Sequence, residues 1–315
     1  MKIPIRIRRS IFAMAAMAAI ALSTSAIASA QYTFVKVKVP ISFAKYPNLT
    51  GISNNNEISG NFEEQSEGRL RNVGFLRSNA KPATWTYLID PAGDGIFTYA
   101  SGVNSIGTVV GWYQVSKGVV DGMVYNGGTY GTFNVEGCKW SYVSAVNDKG
   151  AITGYCYENG AFTSWLNTDS VTTFSIPGAV NTFAQGINSI DQVVGYWDTG
   201  NPNTSQGFLR VFHGEVYPIN FPGAVTTFVN GISDINSSDV GWVCGSFIDA
   251  SNNGHGFLYS NGVYTQIDVP GATATGISGV NKNGWFVGGY TDAQGKSVLF
   301  YAKPSAGASV VVDEE

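Results

Sequence analysis

After its first thirty residues the chain is written in short runs of alternating apolar and polar positions, each closed by Gly, Pro, Asn or Asp. Runs filled with Val, Ile, Thr and aromatics predict strands joined by tight turns. No segment beyond the opening residues keeps a 3.6-residue period, so no long amphipathic helix is expected. The runs recur in a fixed order. The clearest copy reads Thr173-Phe174-Ser175-Ile176-Pro177-Gly178-Ala179, then Gly186-Ile187-Asn188, then Val193-Val194-Gly195-Tyr196-Trp197, then Gly207-Phe208-Leu209. The same order returns from Ile219 to Leu258 and from Ile267 to Phe300, and more degenerate copies precede it. The Gly-Ile-Asn element marks six repeats, starting at Gly51, Gly102, Ala145, Gly186, Gly231 and Gly279. Their spacing of 41 to 51 residues consumes the chain after residue 30 and leaves no room for a separate catalytic domain.

Each repeat holds four strand candidates. Asn104-Ser105-Ile106-Gly107, Asn147-Asp148-Lys149-Gly150 and Asn281-Lys282-Asn283-Gly284 place Asn first and Gly fourth, which suits a type I turn followed by a left-handed Gly. The pairs Pro177-Gly178, Pro222-Gly223 and Pro270-Gly271 end strands, because Pro cannot continue a central ladder. Four strands at this period predict an all-β fold, a β-propeller of six four-stranded blades, with seven blades or a β-solenoid as alternatives. Further strands are expected at 32–40 and 309–312. One terminal strand would then complete a blade begun by the other terminus, leaving no open edge.

The Pro-Gly-Ala, Gly-Ile-Asn, Val-Val-Gly-Tyr and His-Gly-Phe-Leu series resembles the bacterial extracellular repeat family called HAF, after its His-Ala-Phe motif. The resemblance covers nearly all of the chain after residue 30. It implies an extracellular repeat protein and implies no chemistry, because no activity is generally assigned to that family. Only His255-Gly256-Phe257 keeps the namesake histidine; Val73, Asp121, Thr163, Gln206 and Ser297 hold the equivalent positions.

Residues 1–30 have the three parts of a cleaved secretory signal peptide. A basic start from Lys2 to Arg9 precedes an apolar run from Ile11 to Leu22, and Ala28-Ser29-Ala30 forms a small-x-small cleavage site. The run is too short to span a bilayer as a helix, and no later segment is long and apolar enough to do so. Residues 31–315 are therefore expected as one repeat-built domain, secreted or periplasmic and monomeric. Arg8-Arg9 leaves the general and the twin-arginine export routes both open. Cleavage removes four of the 18 basic residues and none of the 22 acidic ones, so the net charge moves from −4 to −8. An acidic chain lacks the basic footprint that nucleic acid requires.

Chemistry is sparse in this pattern. Around the central glycines Gly60, Gly111, Gly154, Gly195, Gly245 and Gly288, the residues two before and two after are apolar or aromatic, apart from Cys156, and share one strand face. That face reads as core. The position one after the glycine runs Asn61, Trp112, Tyr155, Tyr196, Ser246, Gly289, too varied for a uniform core slot. Trp112, Tyr155 and Tyr196 come from consecutive repeats and are the candidate binding residues, as an aromatic surface for sugar rings; packing between unequal blades is the competing reading. Only two histidines exist, His213 and His255, and no Gly-x-Ser-x-Gly elbow accompanies them, so no catalytic residue is assigned. Asp249 to Gly254 has the oxygen spacing of a calcium loop, but Ser260 replaces the closing Glu and a hairpin connection fits better. No metal site and no cofactor are expected. Asp90, Asp94, Asp148, Asp191, Asp198, Asp249, Asp268 and Asp292 are scattered and read as turn caps. Cys138, Cys156 and Cys244 are odd in number. Hairpin counting sets Cys156 opposite Ser141 rather than Cys138, which leaves a Cys138–Cys156 disulfide open.

Two function classes follow. The first is a secreted, non-catalytic binding or surface protein with an unknown extracellular ligand, glycan among the candidates. The second is an exported propeller enzyme, a hydrolase or lyase on extracellular polysaccharide, which requires carboxylates with Tyr or His at one mouth of the ring.

Overall fold

The structure is a computed structural model that describes residues 32–315 apart from 67, 212, 238–240, 307–308 and 314–315. The leader read over residues 1–30 lies outside the described residues. The chain folds as an all-β propeller in which antiparallel sheets follow one another around an axis. The strand nearest the axis is the Gly-Ile-Asn strand: Lys45–Ile52, Thr98–Val103, Trp140–Val146, Asn181–Ile187, Thr226–Ile232 and Ala274–Val280. Each lies beside the next, and the last lies beside the first. The Val-Val-Gly strand pairs outside it, the Gly-Phe-Leu strand outside that, and a short edge strand comes last. The run that opens each sequence repeat, for example Val171–Phe174, is thus the edge strand of the preceding sheet.

The hydrogen bonding does not divide the ring into the six separate four-stranded blades that the repeats predict. Four sheets of four or five strands stand apart, built from 45–88, 181–218, 226–267 and 274–304 with the terminal strands. The segment 98–174 forms one eight-stranded sheet. A single parallel bridge between Trp140 and Val120 is what joins its two halves. The pairings are antiparallel hairpins rather than the stacked coils of a solenoid. Among the described residues the terminal strands form no sheet of their own. Tyr32–Val37 pairs antiparallel with Ser297–Pro304, and Val310–Asp313 adds a fifth strand in parallel outside it. The N-terminal strand therefore closes the ring.

One irregularity recurs and explains the glycines. Every inner strand carries a β-bulge just before its Gly-Ile-Asn element, as between Ala100 and Gly102 or Val143 and Ala145. The extra residues are Thr50, Ser101, Ser144, Gln185, Asn230 and Ser278. The bulge pushes a carbonyl toward the second strand. A Cβ on Gly111 would collide with the carbonyl oxygen of Tyr99, and one on Gly154 with that of Tyr142. The same glycines face a large apolar side chain of the third strand: Phe75, Met123, Trp165, Phe208, Phe257 or Phe300, all fully buried. The core columns read from sequence behave accordingly. Ile58, Val109, Ile152, Val193, Val243 and Phe286 are buried, as are Phe62, Tyr113, Cys156, Phe247 and Tyr290, while Trp197 is half-buried.

Ser141 does pair with Cys156 as the hairpin count requires, yet Cys138 and Cys156 form a disulfide. Cys138 lies in the bend before the inner strand, with its Cα 5.8 Å from that of Cys156, a normal bridging separation. Cys244 is a buried free thiol.

Candidate functional site

The two ends of the axis differ in chemistry, and the inner-strand bulges separate them. At the end where the inner strands begin, the bulge brings the residue three before each Gly-Ile-Asn glycine opposite the residue one after each central glycine. The pairs are Asn48–Asn61, Tyr99–Trp112, Tyr142–Tyr155, Phe183–Tyr196, Phe228–Ser246 and Gly276–Gly289. Seven of these residues form one unbroken arc of rings. Trp112 stacks on Tyr99 at 4.1 Å between centroids and meets Tyr142 edge-on at 5.3 Å. Tyr142 stacks on Tyr155 at 4.9 Å, Tyr155 meets Phe183 at 5.1 Å, Phe183 meets Tyr196 at 5.0 Å, and Tyr196 meets Phe228 at 5.1 Å. Each such pair contributes about 0.5–1.5 kcal/mol beyond its buried area. The arc stops at Ser246, and the remaining sheets present glycine and Asn.

The arc borders a cavity of about 290 Å³. Tyr99, Trp112, Tyr142 and Tyr155 form its wall, and the bulge residues Thr50, Ser101, Ser144, Gln185, Asn230 and Ser278 form its floor. Among the described residues, no Asp, Glu, Lys or Arg lines it. Thr50 and Asn230 are tied to the carbonyls of Ala100 and Ile277. The side chains of Ser101, Ser144, Gln185 and Ser278 make no hydrogen bond among the described residues, which leaves their donors and acceptors available. Burial raises the phenol pKa of Tyr99, Tyr142 and Tyr155 and pushes that of Tyr196 up to about 12. All four stay neutral through the ordinary pH range.

At the other end the turns meet. The Asn of the Gly-Ile-Asn element caps its own turn, and in three repeats it reaches the next one, whereas Asn188 Nδ2 donates to Gln192 Oε1 of its own turn. Asn104 Oδ1 accepts from the main-chain N–H of Thr108, while its Nδ2 donates to the Asn147 carbonyl at 3.0 Å. Asn147 does the same toward Asn188, and Asn281 toward Ser53, across the closure of the ring. Ser53 and Ser233 replace Asn in two repeats; their hydroxyls cap the local turn. The next position alternates in kind. The side chains of Asn54, Asp148 and Asp234 accept from the main-chain N–H groups of Lys282, Ser105 and Ser189. Asn54 Nδ2 then donates to both Asp148 Oδ2, at 3.1 Å, and Asp234 Oδ2, at 2.9 Å. Residues of the first, third and fifth repeats touch only by crossing the axis, so this trio seals the end.

The structure thus brings Trp112, Tyr155 and Tyr196 into one arc, but only Trp112 and Tyr155 line the cavity; Tyr196 is one Phe183 removed from it. Tyr99, Tyr142 and the seal residue Asn54 were not singled out from sequence. The arc is built of ring contacts within and between neighbouring inner hairpins. Five of the eight scattered carboxylates act as turn caps: Asp90, Asp94, Asp198, Asp249 and Asp292 each accept the N–H two residues on. Asp148 and Asp191 instead accept from neighbouring repeats, and Asp268 bonds the side chains of His255 and Gln266. Asp249 closes the hairpin before the third strand, and bonds from the main-chain and side-chain amides of Asn253 bring its pKa down to about 2. His255 lies away from the axis on a third strand, between Asp268 at 3.0 Å and Asp249 at 3.4 Å, stacked on Phe247. Among the described residues, no group of three or more His, Cys, Asp and Glu is arranged to hold a metal ion, and no helix is long and apolar enough to cross a membrane.

No protein-family model matches the chain, and no curated protein matches it. Solved structures of similar fold include a mutant of Aleuria aurantia lectin in complex with Fucalpha1-6GlcNAc, 12% identical over 83% of this chain and 92% of that one, with a TM-score of 0.48. A mutant of AofleA from Arthrobotrys oligospora is 10% identical over 90% and 94%, with a TM-score of 0.48. Trypanosoma rangeli sialidase is 8% identical over 86% and 57%, with a TM-score of 0.45.

Proposed function

We propose that the protein is an exported, non-catalytic binding protein that holds carbohydrate in the aromatic cup, on a ring that works as six blades with the eight-stranded sheet counting as two. One observation carries the reading. Four aromatic rings and four unengaged hydroxyl and amide side chains converge on one cavity. A sugar needs both kinds of surface: its C–H face lies on a ring, and its hydroxyls require donors and acceptors once water is lost. Export is supported by the secretory leader in the sequence and by the Cys138–Cys156 disulfide, a bond that persists in oxidising compartments. The enzyme reading finds less support. The carboxylates that meet on the axis, Asp148 and Asp234, are at the sealed end with no Tyr or His beside them, and the cup is lined by none.

The test is a glycan array with the mature protein and its Trp112→Ala variant. The reading expects binding to a defined set of glycans and at least a tenfold loss in the variant, about 1.4 kcal/mol or more. Polymer turnover without saturable binding sinks it.

A further inference from the structure

The chemistry of the cup also limits which part of a saccharide it takes; the limit rests on the carbohydrate reading above. We propose that the cup receives the uncharged terminal unit of a glycan, end-on, and excludes uronic, sialic and sulfated termini.

Three features lead there. The lining contains no cation and no metal site, so a carboxylate or sulfate in the cup would lose its water without gaining a partner. A phenol cannot supply positive charge, and burial raises the pKa of Tyr99, Tyr142 and Tyr155, so the wall is neutral. Next, the cup is blind. Its floor is the collar of six bulge residues, and beyond that collar the Asn54–Asp148–Asp234 trio crosses the axis. A chain therefore cannot thread through, and only an end can enter. At about 290 Å³ the cup is also at the small end of the ~300–1,000 Å³ range of ligand pockets, suited to a unit or two rather than a long segment.

The wall is one-sided, which sets how the unit enters. Rings line the arc from Tyr99 to Phe228, while the opposite side presents Gly276 and Gly289, with no side chains, beside Asn48 and Asn61. The terminal unit lies against the arc, its hydroxyls meet Ser101, Ser144, Gln185 and Ser278 below, and the rest of the glycan leaves over the glycine gap. Asn61 does not fill that gap, because its side chain is bonded to both the N–H and the carbonyl of Ala100.

The experiment takes the tightest neutral glycan from the array and compares it, by calorimetry on the mature protein, with the same glycan whose terminal CH2OH has been oxidised to a carboxylate. The oxidised form is expected to bind at least tenfold more weakly, with the affinity for the neutral form unchanged between low and high salt. A Gln185→Lys variant is expected to narrow the gap between the two forms. Equal or tighter binding of the oxidised glycan overturns the proposal and leaves carbohydrate binding intact. Binding by an acidic glycan set alone does the same. Retention of neutral-glycan binding by Trp112→Ala moves the site elsewhere and overturns it. An array with no binding at all removes the carbohydrate reading itself.

Discussion

The two ends of the axis are made from the same six strand–turn units, yet one end repeats and the other does not. At the sealed end every unit offers Asn or Ser at the cap position, and the next position alternates between a side-chain acceptor and a main-chain donor. At the cup the paired columns run from Asn–Asn through aromatic pairs to Gly–Gly. A closure must satisfy buried polar groups in each unit, so its residue types are confined. A binding surface needs contrast around the ring, and the repeat is broken at the cup. On the proposed reading the irregular columns mark the site and the regular ones mark the scaffold.

Three substitutions probe that contrast. The largest effect is expected from Gly111→Ala, whose new Cβ runs into the Tyr99 carbonyl. Moving that strand costs about 3 kcal/mol or more, and both thermal stability and glycan binding should fall, because the Tyr99–Trp112 pair moves with it. A smaller effect is expected from Asn54→Leu. It leaves Asp148 and Asp234 facing each other without the amide between them, a loss of about 1–3 kcal/mol. Thermal melting should shift down while glycan affinity stays within experimental error; a change in affinity would mean that the two ends are coupled. The smallest is expected from Asn147→Ser, which imports the residue type found in the first and fifth repeats. The turn keeps its cap but loses the bonds from Nδ2 to the Asn188 carbonyl and to Asp191 Oδ1, together about 1 kcal/mol and read as a small downward shift in thermal melting.

The repeat length, the turns and the buried columns are legible in the chain because each follows from a local rule: period two, Asn first and Gly fourth, Pro at a strand end. Gly107, Gly150 and Gly284 do take positive φ, closing the turns begun by Asn104, Asn147 and Asn281. The cup was half legible. Trp112, Tyr155 and Tyr196 stand in one column and their partners Tyr99, Tyr142 and Phe183 in another, but simple alternation does not set the two columns on one face, because a bulge reverses the parity of the inner strand between the partners and the Gly-Ile-Asn element. Sequence alternation has no mark for an extra residue. A glycine follows the extra residue in five of the six strands, Ala145 taking its place in the other, and it reads equally well as a turn residue. The seal is a non-local fact: Asn54 meets Asp148 and Asp234 only once the ring exists. The disulfide stayed open for a related reason, since Cys138 bonds from outside the ladder in which Cys156 faces Ser141.

The closing strand carries a consequence in time. Tyr32–Val37 leads the described chain, and its partner Ser297–Pro304 lies near the other end. A polypeptide made from its N-terminus holds this strand, with Phe34 and Val35 destined for burial, as a waiting edge until the last sheet has been synthesised. The ring then shuts in one late, long-range step. Loop closure over so many residues is slow to find, though each doubling of length costs only about 0.6 kcal/mol. The first strand of the ring is therefore an exposed edge during assembly, and the late-made strand Ser297–Pro304 decides when that exposure ends.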